Sequence, residues 1–176
     1  SLASESFTSR PIMSTYSPLS VGNEMRLNAG APQAAIAWTT ANQARYVPMI
    51  INEPFLVKKL LVYCGSTSGG NNDMAVYDRN ANRVIGATAA AHPGSAGWQE
   101  FDVTDTWLVP GLYYIGVLNT TTTATFAGWA SKEFGRAAGV FSQAVGAGTM
   151  PTPTATFAAL DTGLVPIVAI SSRVTI

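Results

Sequence analysis

The stretch from Phe55 to Leu118 limits the possible folds more than any other part of this chain. Short apolar segments follow one another there, with side chains alternating at a period of two and turn residues between them. Phe55 to Cys64 leads through the glycine-rich Gly65 to Asn72 into Asp73 to Asp78. Arg79-Asn80-Ala81-Asn82 then turns the chain into Arg83 to Gly86. Asn tolerates positive φ, and Asp or Asn side chains bond nearby backbone N–H groups, so this tetrad suits a hairpin. Gly97 to Val103 follows, and Leu108-Val109-Pro110-Gly111 tips into Leu112 to Leu118. No window in the stretch has a helical period, and the expected core is antiparallel β.

The flanks extend this pattern. Arg45 to Ile51 reads as a strand carrying Pro48, which cannot donate to a ladder and so belongs at an edge or just before the strand begins. In Phe55 to Cys64, Val57, Lys59, Leu61 and Tyr63 share one face, and Leu56, Lys58, Leu60, Val62 and Cys64 the other. Glu100 and Asp102 alternate with Phe101 and Val103 on a half-exposed strand. Gly116 allows a close approach. Ser131 to Arg136 is too short for more than a helical turn, and the Gly- and Ala-rich segment 137–153 is expected to cover the core as a loop. Thr154 to Leu160 and Leu164 to Ile170 are strand-like. Strands at about ten-residue spacing with turn signals between them indicate a β-sandwich. No unit repeats, which argues against a propeller or solenoid.

Residues 1–34 are different material, mixing Ser, Thr and Pro without a sustained period. They read as an arm held in place by a neighbouring subunit, with residues 35–176 forming a single sandwich domain. Charged residues make up 11% of the 176 positions, where an ordinary soluble domain has roughly 25%. Such a surface is weakly defended against association, so copies of the chain or other partners are expected to cover part of it. Ten basic and ten acidic residues cancel without segregating. The longest basic run is Lys58-Lys59, whose side chains should point to opposite faces. Nucleic acid would need a basic stripe, so none is expected as a partner. No apolar run reaches the length of a membrane span, and the N-terminal stretch lacks the basic and apolar regions of a secretory signal.

Chemistry finds little to build on. The lone cysteine, Cys64, ends an apolar strand and reads as a buried, inert thiol. His92, the lone histidine, lies before a proline and reads as a surface loop residue, with no G-x-S-x-G elbow to serve. One His and one Cys cannot make a clustered metal site. Asp78, Asn80 and Asn82 copy the start of a calcium loop, but Arg83 replaces the required glycine and Ala89 the closing glutamate. Glu100, Asp102 and Asp105 are candidate glycosidase carboxylates, yet their spacing is that of an exposed strand face. Gly65 to Gly70 lacks the lysine and helix of a phosphate loop. Asn119-Thr120-Thr121 matches a glycosylation acceptor. Trp38, Trp98, Trp107 and Trp129 read as core or interface residues, with sugar stacking the alternative. No catalytic, cofactor-binding or metal residue is assigned, and no enzyme is expected.

Asp73-Met74-Ala75-Val76-Tyr77-Asp78, the later Asp102-Val103-Thr104 and Pro110-Gly111-Leu112-Tyr113-Tyr114 together resemble a domain of tailed-bacteriophage virion proteins. The resemblance covers about residues 45–128. It implies an all-β, jelly-roll-like antiparallel sandwich of the kind used in head decorations, tail fibres and tail tips. It further implies a structural protein located in the virion. The arm, the low charge and the absence of a catalytic constellation add the expectation of a non-enzymatic homotrimer docking on capsid or tail proteins, without membrane insertion. A carbohydrate- or receptor-binding module for a host surface glycan is the alternative expectation.

Overall fold

The computed structural model describes residues 12–13, 32–160 and 163–173. Two antiparallel sheets pack face to face, as the alternation in the sequence requires. The first has the central order β2 (Gln33–Ala37), β10 (Thr125–Trp129), β4 (Phe55–Cys64), β8 (Gly97–Leu108). The second runs β3 (Gln43–Ile51), β9 (Gly111–Asn119), β5 (Asn71–Asp78), β6 (Arg83–Gly86). Along the chain, β2, β4, β8 and β10 belong to one sheet, while β3, β5, β6 and β9 belong to the other. That crossing pattern is an eight-stranded jelly roll.

The remaining elements extend this frame. β7 (Ala90–Ala91) pairs with β5, β11 (Phe141–Ala144) with β3, and β12 (Ala158–Ala159) with β11. β11 reaches only Tyr46, so β3 has lost its neighbour on that side by Pro48, and the proline sits at a local edge within the strand. Helix α1 (Lys132–Ala137) is capped by Ser131, whose hydroxyl accepts from the Phe134 N–H at 3.0 Å. Its Phe134 packs under Trp129.

β10 meets β4 at a single pair, Phe126 and Cys64. The wedge beyond is filled by β13 (Val165–Pro166), paired with β10, and β14 (Val168–Ser171), paired with β4. Between them Ile167 accepts from the Tyr63 N–H and donates to the Ala127 carbonyl, both at 3.0 Å. Val165, Val168 and Ile170 complete the core there. A Cβ on Gly128 would collide with the Val165 carbonyl, so only glycine lets the inserted segment come this close. β1 (Ile12–Met13) pairs with β14 of its own chain. The expectation that a neighbour holds the arm otherwise falls on residues outside those described.

The main core lies between the sheets. Val47, Met49, Met74, Val76, Ile115 and Val117 face Val57, Leu60, Val62, Phe101, Leu108 and Phe126. A second core covers the outer face of the β3–β9–β5 sheet, where the opposite parity places Tyr46, Ala75, Tyr77 and Leu118. Segment 145–157 lies over it as a strap carrying Met150 and Phe157, so this part of the expected covering loop lies on the outside of a sheet. Phe157 packs against Tyr46, Tyr114 and Phe141 at 4.8, 4.6 and 5.3 Å between centroids. Met150 occupies the space that a side chain at Gly116 would need.

Candidate functional site

Polar side chains clamp the strap. Asp73, buried at the head of β5, accepts from the Met150 N–H at 2.7 Å and the Met74 N–H at 2.8 Å. Tyr77 donates to the Pro151 carbonyl at 2.7 Å, and Arg83 donates to that of Met150 at 3.2 Å. Burial raises the Asp73 carboxyl above its ordinary range, opposed by those N–H donors and by Arg83. This polar set fastens a cover in place.

His92 is buried, not a surface residue as its loop context suggested. Its ring packs edge-on to Phe126 at 5.1 Å. Nδ1 lies 3.1 Å from the Gly94 N–H, a donor, and Nε2 lies 2.9 Å from the Thr125 carbonyl, an acceptor. Those partners select the neutral tautomer with the proton on Nε2, and burial pushes the ring's pKa down. Nearby, Asn119 donates to Asn72 at 2.7 Å, Asn72 to Gln99 at 2.6 Å, and Gln99 to the Ala91 carbonyl at 2.9 Å. This chain, buried at Asn119 and Asn72 and reaching the surface at Gln99, ties both sheets together at one end. Alternation in the sequence does not reveal it, since each amide sits at a strand position that could equally face water. Asn119 is fully buried, which closes it to glycosylation in the folded state. Cys64 adjoins the same network, with its thiol pushed up to about 12 by burial. Asp78 spends its carboxylate on the turn, accepting from the N–H groups of Asn80 and Asn82 at 2.8 and 2.9 Å.

The three candidate carboxylates of β8 lie opposite β4 and find lysines. Pairing runs from Val57 opposite Thr106 to Lys59 opposite Asp102, so β8 carries two more residues than β4 between these pairs. This bulge resets the parity of β4: Val57 is inward before it, and Leu60, Val62 and Cys64 are inward after it. Lys58 and Lys59 therefore both reach the solvent-side acids of β8 instead of pointing to opposite faces. Lys58 meets Asp105 at 3.0 Å. Lys59, with a side chain only 8% exposed, meets Asp102 at 2.6 Å and Glu100 at 3.1 Å. The Asp102 bond is the main force raising the Lys59 pKa, against the effect of burial. Glu100 and Asp102 share one ammonium on a single face, whereas glycoside hydrolysis places two carboxyls across a cleft.

Around this cluster, Lys58, Lys59, Asp102, Val103, Asp105 and Arg173 enclose an open depression of about 300 Å³. Trp107, two residues beyond Asp105 on the same face of β8, is 63% exposed. The other tryptophans are more enclosed: Trp38 is in the core, Trp129 packs on it, and Trp98 lies half-buried against Tyr63. Across the β8–β9 turn, Val109 is 65% exposed, and the cross-strand partners Ile50 and Leu112 are exposed on the outer face of the second sheet. Tyr113 donates to the Val109 carbonyl at 2.9 Å and braces that turn. Among the described residues there is no cluster of three or more His, Cys, Asp or Glu able to hold a metal.

No family model matches the chain, and no curated protein or solved structure matches it.

Proposed function

We propose that this chain is a non-enzymatic structural protein of a tailed-bacteriophage virion, a capsid decoration or a tail or fibre component. It self-associates as a homotrimer and docks on other proteins of the particle. The observation that carries the self-association is the braced apolar end formed by Ile50, Val109 and Leu112. A braced turn carrying Val109, near the strand residues Ile50 and Leu112, holds large apolar side chains in water and is suited to burial against another protein surface. Support comes also from the potentially reactive side chains: His92, Cys64, Asp73 and Asp78 are all engaged in internal bonds. The jelly-roll path agrees with the fold implied by the sequence resemblance.

Light scattering on the purified protein tests the assembly. The expected mass is that of three chains, falling to one chain in Leu112→Glu, which puts a charge into the buried end. A wild-type monomer at every concentration would overturn self-association. The location is tested separately by mass spectrometry of purified phage particles, where the protein must appear at a fixed ratio to the major capsid protein.

A further inference from the structure

We propose that the solvent face of β4 and β8, around Trp107 and the Lys58–Asp105 pair, is a binding site for a neutral sugar ring within a glycan chain. The inference stands on different residues from the apolar end and does not depend on trimer formation.

Three features converge on one face. Trp107 presents an indole that is 63% exposed on the last turnward residues of β8, with no charge of its own. Its cross-strand partner is Leu56, which gives the indole one apolar neighbour on the adjacent strand. A sugar ring carries a face of C–H groups, and an exposed indole is the side chain best suited to cover it. Asp105 lies two residues away on that strand and face, about 7 Å along the backbone, close enough for one ring to span both. The Lys58 ammonium and the Asp105 carboxylate stand 3.0 Å apart. That places a donor and an acceptor side by side at about the separation of neighbouring ring hydroxyls, one of which can accept while the other donates.

The third feature is the depression itself. At about 300 Å³ it lies at the lower end of the size range for small-molecule sites. Its position is fixed because Lys59, nearly buried, is held by Glu100 and Asp102 below the rim. The bulge is what brings both lysines to this face, so the site is a product of backbone geometry. Charge also selects the ligand class. Lys58 is paired with Asp105, Lys59 with Glu100 and Asp102, and Arg173 adds a third cation to the lining, so three cations stand with three carboxylates and a neutral polyhydroxylated ring meets a face of balanced charge. A strongly anionic chain would have to lie against Asp102, whose side chain is 87% exposed, and Asp105 at 57%.

The test is titration of the full chain with neutral trisaccharides (cellotriose, maltotriose, mannotriose and galactotriose), followed by tryptophan fluorescence and saturation-transfer NMR. Trigalacturonate serves as the anionic control and glycerol as the polyol without a ring face. At least one neutral trisaccharide should bind, with transfer strongest to its C–H face. Trp107→Ala should weaken that binding by about tenfold. Lys58→Met should weaken it roughly fivefold. Trp98→Phe, which alters the half-buried tryptophan beside Tyr63, should leave the affinity unchanged. Unchanged melting of Trp107→Ala would assign its loss to the site and not to misfolding. The proposal is overturned if no neutral trisaccharide binds, if only trigalacturonate binds, if glycerol matches the trisaccharides, or if binding survives both Trp107→Ala and Lys58→Met. None of these outcomes bears on the solution mass, so this reading and the assembly reading fail separately.

Discussion

The two outer faces of the sandwich are put to opposite uses. On the β3–β9–β5 side, the strap covers aromatic residues that a two-layer fold would leave wet, burying Tyr46 and Tyr77 and partly burying Tyr114 and Phe141, with Phe157 packed among them. On the β4–β8 side, much of the surface near the bulge is charged, and Trp107 remains in water. Both faces are built from alternating strands of similar length, so strand pattern alone does not set their fate. What differs is how they are covered: segment 145–157 turns one into a second core, while on the other Trp107, Asp102 and Asp105 remain exposed.

That contrast is easiest to break at the strap. Phe157→Ala should lower stability by about 3 kcal/mol, read as a lower denaturant midpoint with little change in slope. A loss below about 0.5 kcal/mol would mean that the strap merely rests on the sheet. The charged face should respond more to which partner is lost than to the loss of charge. Removing both carboxylates with Glu100→Gln and Asp102→Asn leaves the Lys59 ammonium buried without its anions, at a cost of about 2 kcal/mol. Lys59→Met, which removes the buried charge instead, should stay within about 1 kcal/mol of wild type by chemical denaturation.

A smaller effect joins the faces through the end where His92 is buried. Its folded pKa lies below the ordinary 6.5, so folding favours the neutral ring. The stability it contributes is complete above pH 6.5 and is lost as pH falls through the lower folded value. His92→Gln should flatten that acid-side decline in a series of melts taken downward from pH 7. An identical slope in wild type and variant would exclude His92 as its source. The smallest change is expected from Trp107→Ala, whose melting should match wild type to within about 0.5 kcal/mol, since little is buried with it. A larger loss would place Trp107 with the structural aromatics of the strapped face.

Much of the sandwich could be read from the sequence because alternation and turn chemistry agree through Phe55 to Leu118. The details that shape the candidate site could not. Extrapolating a period of two across Lys58-Lys59 separates the two lysines. The bulge that unites them is set by the length of β8 between Asp102 and Thr106, and no glycine or proline marks it. His92 sits in a loop, as its neighbours Pro93 and Gly94 indicate, but that loop folds back against Phe126. Its burial follows from tertiary contacts that local sequence does not encode. Pro48 shows the reverse case: the expected edge exists, but within a strand, because β11 stops short of it. Gly116 was recognisable as a point of close approach, although the side chain that fills the space belongs to Met150, far along the chain.

The wedge between β10 and β4 bears on how the protein is made. With synthesis complete through Trp129, all eight jelly-roll strands exist, yet β10 is joined to β4 by one residue pair. The unfilled part of the sheet presents unpaired backbone and open core until residues 163–171 arrive. A chain that ends before that point would present an open strand edge, the kind of feature that pairs with other chains.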